Sequence, residues 1–284
     1  MRVLRLARVA LFALVAAAVS GCIQSSTLIK LKPDGSGTIE QTTTMNADAV
    51  AQLSALAAMS DDKNKDKKPG AKGSLDDLFS DAEARSAVSK MGEGVTFVSS
   101  QKIDTPERKG MKAIYAFTDI RKLRVNEMSM PGAAESGASG AAHKDPPMTF
   151  TFRQLPGGNG VLTILQPGID EAMTGAQGKA GKADTTVDPN MAAQGLDMAK
   201  AFMKGLKVDV AVQVPRLVKT NSSYVEGGTV TLLSMDFDKV LADPQALERL
   251  NKAKSLADSK TLLKDVKGIK VNLEPQVTIE FAGR

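Results

Sequence analysis

Asp34-Gly35-Ser36-Gly37 has the look of part of a calcium loop, and Asp236-Phe237-Asp238 could present two carboxylates to a metal or a phosphate. A twelve-residue calcium loop places ligands at positions one, three and five, glycine at six and a bidentate glutamate at twelve. With Asp34 fifth and Gly35 sixth, the first and third positions become Lys30 and Lys32, and the twelfth becomes Gln41. Two cations at ligand positions exclude calcium there, and the stretch reads as a turn. Asp236 and Asp238 fall at a strand-to-helix junction, where carboxylates cap helices or face solvent, and no other ligand cluster accompanies them. No metal site is expected.

Candidates for catalysis are equally thin. His143 is the single histidine, and it lies in a Gly/Ala-rich stretch with no motif around it, so a surface position is expected rather than a general base. Ser86-Ala87-Val88-Ser89-Lys90 closes a helix, whereas a Ser-x-x-Lys nucleophile opens one. Gly157-Gly158-Asn159-Gly160 sits between two strands with no helix after it, which excludes a phosphate loop. Trp is absent and Tyr occurs twice, so stacking platforms for sugars or bases are not expected. Neither catalytic nor cofactor-binding residues are assigned, and the chain is read as a non-enzyme. The methionines leave a softer possibility. Met191, Met198 and Met203 surround Phe202, and Met128, Met130 and Met148 flank the Gly/Ala stretch; such surfaces adapt to apolar ligands, but methionine more often fills gaps in a core.

Cys22 is the sole cysteine, and its surroundings are specific. Arg2, Arg5 and Arg8 precede an apolar run from Val9 to Val19, and Val19-Ser20-Gly21 leads into Cys22. The run is too short to span a bilayer. This arrangement resembles the lipobox of bacterial lipoprotein signal peptides. The resemblance implies cleavage before Cys22, with a diacylglyceryl group on its thiol and an acyl chain on its amine. Two or more chains hold a protein stably, at about 0.8 kcal/mol per buried methylene. Ile23 stands where Asp would signal inner-membrane retention in a diderm bacterium, so the rule points to the outer membrane, facing the periplasm. With Cys22 acylated, no thiol remains for a disulfide or a metal.

The chain has 37 Lys+Arg against 32 Asp+Glu, but the signal carries three of those arginines and no acid, so the mature part is close to neutral. Its lysines alternate with acids, and no nucleic-acid partner is expected. The expected partners are the membrane, through lipid on Cys22, and an envelope protein or a lipid ligand.

Alternation and turn residues place the elements. Leu28–Lys32 and Thr38–Met45 form a hairpin around Pro33–Gly37, and Asn46 caps a helix through Ala57. Ser74 is expected to cap a second helix whose face is Leu75, Leu78, Phe79, Ala82, Val88 and Met91, stopped by Gly92. Strands follow at Val95–Ile103, Met111–Phe117, Met148–Arg153, Val161–Gln166, Val208–Val214 and Thr229–Ser234, and two more at Ile269–Leu273 and Val277–Phe281 close the chain. Helices open at Asp188-Pro189, at Asp243-Pro244 and at Asp258. Residues 60–73, 128–147 and 168–186 read as solvated, flexible stretches.

Strand pairs separated by helices predict an α+β fold with mainly antiparallel sheets built from hairpins, helices packed on one face. The expected organisation is a signal peptide over 1–21, an N-terminal α+β part over 22–125, a linker over 126–147 and a C-terminal α+β part over 148–284. The two parts could equally form one continuous domain. Gly21-Cys22, the hairpin Lys32–Thr38 and the closing Gly268-Ile269-Lys270-Val271 give the layout a resemblance to uncharacterised bacterial lipoproteins. It is also similar, over about twenty residues, to LppM-type lipoproteins, which place a strand with an Asp-Gly turn soon after the lipidated cysteine. No functional residue is carried over from that similarity. Three functions follow in order: a lipid-anchored binding or scaffolding module, an amphiphile binder with an apolar pocket between sheet and helices, and a hydrolase with an unrecognised site.

Overall fold

The computed structural model describes residues 23–51, 79–125, 147–166, 204–243, 245, 263 and 266–283. Strands dominate them. β1 (Ile23–Leu31) and β2 (Gly37–Asn46) form the opening hairpin, and β3 (Val95–Asp104) pairs with β4 (Arg108–Phe117). β5 (Thr149–Gln154) and β6 (Gly160–Leu165) make a third hairpin. β7 (Lys207–Gln213), β8 (Leu217–Thr220), β9 (Val225–Glu226), β10 (Thr229–Asp236), β11 (Ile269–Val271) and β12 (Gln276–Phe281) complete the set.

These strands form two sheets. The large one runs β11-β10-β7-β1-β2-β4-β3, with β9 paired to β10. It is mixed, because β1 and β7 are parallel while its other pairs are antiparallel. Strands from both sides of residues 126–147 share it. The small sheet runs β5-β6-β12-β8 and is antiparallel.

Period-two alternation explains how the sheets meet. Ile29, Ile39, Tyr115, Phe117, Val210 and Val212 point to one face of the large sheet, and Phe150, Leu162, Ile164, Val277, Ile279 and Phe281 to one face of the small sheet. All are buried in a single cluster, so the sheets pack face to face as a sandwich. Phe152 stacks beside Phe281, with ring centroids 6.2 Å apart. Phe97 meets Tyr115 edge-on at 6.1 Å. At Gly37 an added Cβ would lie 2.1 Å from the Lys30 carbonyl oxygen and 2.5 Å from Phe117 Cζ, so the chain passes there only without a side chain.

The short helices are set by their caps. Asn46 Oδ1 accepts from the Asp48 N–H at 2.9 Å, and residues 47–51 are helical, as the cap predicts. α1 (Asp81–Ala87) begins at Ser80, whose Oγ accepts from the Glu83 N–H, rather than at Ser74. Ser80-x-x-Glu83 has the spacing of a capping box, of which the Ser80 half is formed, and residues 74–78 lie outside the described residues. Ala84 packs into the main core, and the Arg85 guanidinium lies 4.3 Å over the Phe97 ring. Gly92 ends the segment at φ +112°, as expected of a stop. α2 (Phe237–Leu241) follows β10 directly.

The expected helices at Asp188 and Asp258 lie outside the described residues, as does nearly all of the one at Asp243. So do the stretches 60–73, 128–146 and 168–186. β8 and β9 were not expected, since two to four residues are too few to show alternation.

Candidate functional site

Strand directions give the sandwich two distinct ends. At one, β1, β4, β7 and β11 begin while β2, β3 and β10 finish. Cys22, the expected lipidation residue, lies outside the described residues but is bonded directly to Ile23, the first residue of β1. Ile23 is already in register with Met45, so the ladder starts one residue after the cysteine. β1 lies between β7 and β2, in the interior of the large sheet.

Charges crowd this end, and they are tied together. Arg108 donates through Nε to Thr44 Oγ1 at 2.8 Å and through Nη2 to the Thr44 carbonyl at 3.2 Å. Lys109 pairs with Asp104. Asp236 Oδ2 lies 3.1 Å from Lys207 Nζ and 3.4 Å from Lys239 Nζ. Burial alone would push the Asp236 carboxyl up, but Lys207 and Lys239 together hold it below the usual aspartate range. The Glu107 carbonyl accepts from the Ala47 N–H at 2.9 Å, joining the β3–β4 turn to the helical residues after β2.

The carboxylates singled out from sequence have structural partners. Asp236 is the N-cap of α2, accepting from the Lys239 N–H at 3.4 Å. Asp238 Oδ1 accepts from the Gly205 N–H at 2.7 Å, holding the entry to β7 against α2. Asp34 accepts from the Ser36 N–H at 3.0 Å and from its hydroxyl at 2.7 Å. Those two bonds from Ser36 keep the Asp34 carboxyl below its ordinary value. Gly35 sits at φ +86°, as an Asp-Gly turn requires. Among the described residues, no group of three or more His, Cys, Asp and Glu is placed to hold a metal ion. His143, Met128, Met130, Met191, Met198, Phe202 and Met203 lie outside the described residues. Met148 is buried in the main core, in line with methionine as a gap filler.

The opposite end carries two glycine turns, Asp34–Gly37 and Gly157–Gly160. Gly157-Gly158-Asn159 joins β5 to β6, with Arg216, Ala282 and Gly283 beside it around an open cleft of about 330 Å³. Asn159 Nδ2 donates to Glu280 Oε1 at 2.9 Å, and the Arg216 carbonyl accepts from the Ala282 N–H at 2.9 Å. Glycines, Asn159, Ala282 and Arg216 line this cleft. The side chains that an amphiphile would need do not contribute to it. Sequence reasoning missed Arg216, which has no motif around it and meets the glycine turn only through the pairing of β12 with β6 and β8.

No known protein-family model matches the chain, and no curated protein matches it. Among solved structures it is similar to the NMR structure of the folded domain of the LppM protein of Mycobacterium tuberculosis. The match has 10% sequence identity and a TM-score of 0.29, and covers 93% of this chain and 91% of that one. No described helix is long and apolar enough to cross a membrane.

Proposed function

We propose that this protein is a lipid-anchored envelope lipoprotein, acylated at Cys22, whose β-sandwich is a non-enzymatic binding or scaffolding module facing the periplasm. The observation that carries the reading is the position of Cys22. The residue with the lipobox signature stands directly before an interior strand of the large sheet, so cleavage before it would leave the sandwich whole. The ionisable groups best placed for chemistry support the non-enzymatic part. Asp34, Asp236 and Asp238 spend their oxygens on caps, turns and lysines. An outer-membrane destination follows from Ile23 at the sorting position.

Intact-mass analysis of the protein isolated from a bacterial envelope tests the anchor. Diacylglyceryl and acyl additions on a chain beginning at Cys22 are expected, and an unmodified thiol would end the reading. Native mass spectrometry of a soluble Cys22→Ser variant tests the module. A clean apo mass supports a scaffold. A bound mass that extracts into organic solvent would replace it with the amphiphile-binding alternative.

A further inference from the structure

We infer that the end of the large sheet where β1 begins is a docking surface for phospholipid headgroups, and that the sandwich stands end-on upon the bilayer. The inference rests on acylation of Cys22 and adds what that acylation does to the fold. A flexible tether of n residues lets a domain wander by about 5–6 Å times the square root of n. Here there is no tether. Consecutive Cα atoms are about 3.8 Å apart, and Ile23 is held in the ladder opposite Met45, with Gln24 opposite Lys207. Acyl chains inserted at Cys22 therefore bring the start of β1 to headgroup level. Because β1 is an interior strand, its neighbours come with it.

The rim so presented runs from the Thr105–Glu107 turn past Arg108, Lys109 and Lys207 to Lys239. Its composition suits a headgroup layer. Lys and Arg stems can lie along apolar surface while their heads stay in water. Asp104 and Asp236 neutralise part of the rim, so the surface is not polybasic and its contact with lipid does not depend on an anionic membrane. The eight steps along the nine residues of β1, at about 3.3 Å each, place the opposite end about 26 Å further from the bilayer. The Gly157–Arg216 cleft and the Lys32–Ser36 turn then face the envelope space.

The test uses the mature acylated protein, in which an introduced cysteine is the sole free thiol. Glu107→Cys on the rim and Lys32→Cys at the far end both replace exposed side chains. Each variant is labelled with a fluorophore and reconstituted in vesicles of phosphatidylethanolamine and phosphatidylglycerol carrying a headgroup nitroxide. Loss of most of the fluorescence at residue 107, with none at residue 32, is the expected result, unchanged by high salt. Equal quenching at both positions, or stronger quenching at 32, would overturn the docking geometry while vesicle binding and an acylated mass left the anchor standing. An unmodified Cys22 by intact mass would instead overturn the anchor reading, and the docking surface with it.

Discussion

Ile29 on β1 and Val212 on β7 lie side by side in a parallel pair, both fully buried, although β2 to β6 intervene in the chain. This contact joins the opening hairpin to the second half of the sequence. Through it the large sheet becomes one surface.

Truncating that contact should therefore be costly. Ile29→Ala is expected to destabilise the fold by about 2–5 kcal/mol, the range for isoleucine in a packed core. A lowered urea midpoint at unchanged slope would report it. A midpoint within error of the parent would mean that β1 and β7 do not pack as described.

Glu40 bridges Lys30 and Lys112 across three strands. Hydrogen bonds from Lys112 and Lys30 hold its carboxyl below the usual glutamate range. The unfolded chain thus binds this proton at higher pH than the folded one. The stabilisation is present above pH 4.5, the ordinary glutamate value, and is lost as pH falls through the lower folded pKa. Glu40→Gln should cost about 0.2–1 kcal/mol at neutral pH and flatten the stability profile in that acid window. Unfolding curves between pH 3 and pH 7 for both proteins check the sign.

Gly37→Ala should destabilise the protein by about 1–3 kcal/mol, because the new methyl meets the Lys30 carbonyl and the Phe117 ring within the β1–β2–β4 ladder. Thermal unfolding measures this directly. An unchanged melting temperature would show that the strands have room to separate.

Asn221 acts as an added rung on β12. Its Nδ2 donates to the Gln276 carbonyl at 2.9 Å, and its Oδ1 accepts from the Thr278 N–H at 2.8 Å. Asn221→Ala should cost about 1 kcal/mol and speed hydrogen exchange at the Thr278 amide selectively. Exchange followed by NMR distinguishes this from a general loosening, which would also speed the Ile279 amide.

Local physics made much of the strand content readable. Val208, Val210, Val212 and Val214 alternate with Lys207, Asp209 and Gln213; β7 covers all but Val214, and Val210, Val212 and Val214 are buried while Val208 is partly so. Asp34-Gly35 and Gly157-Gly158 supply turns whose φ values only glycine adopts easily, and Asp236 caps a helix as its position implied. These signals sit within a few residues of one another, so backbone sterics and hydrogen bonding determine them without help from the rest of the chain. A short helix beginning at Ser80 rather than Ser74 shows the limit, because several serines and acids can serve as caps and propensity alone does not choose.

The neighbours of each strand were decided elsewhere. Alternation states which face of β1 is buried but not which strand lies beside it. A parallel partner needs no turn of its own, so β7 leaves no trace near β1 in the sequence. β8 and β9 are too short to alternate visibly and exist because β12 and β10 offer them unpaired edges. The candidate site divides in the same way. A cysteine after an apolar run is a linear signal and is legible in the first 22 residues. That Ile23, the next residue, opens an interior strand, with Arg108, Lys207 and Lys239 at the same end of the sheet and Arg216 at the other, depends on non-local pairing, which the tertiary structure alone supplies.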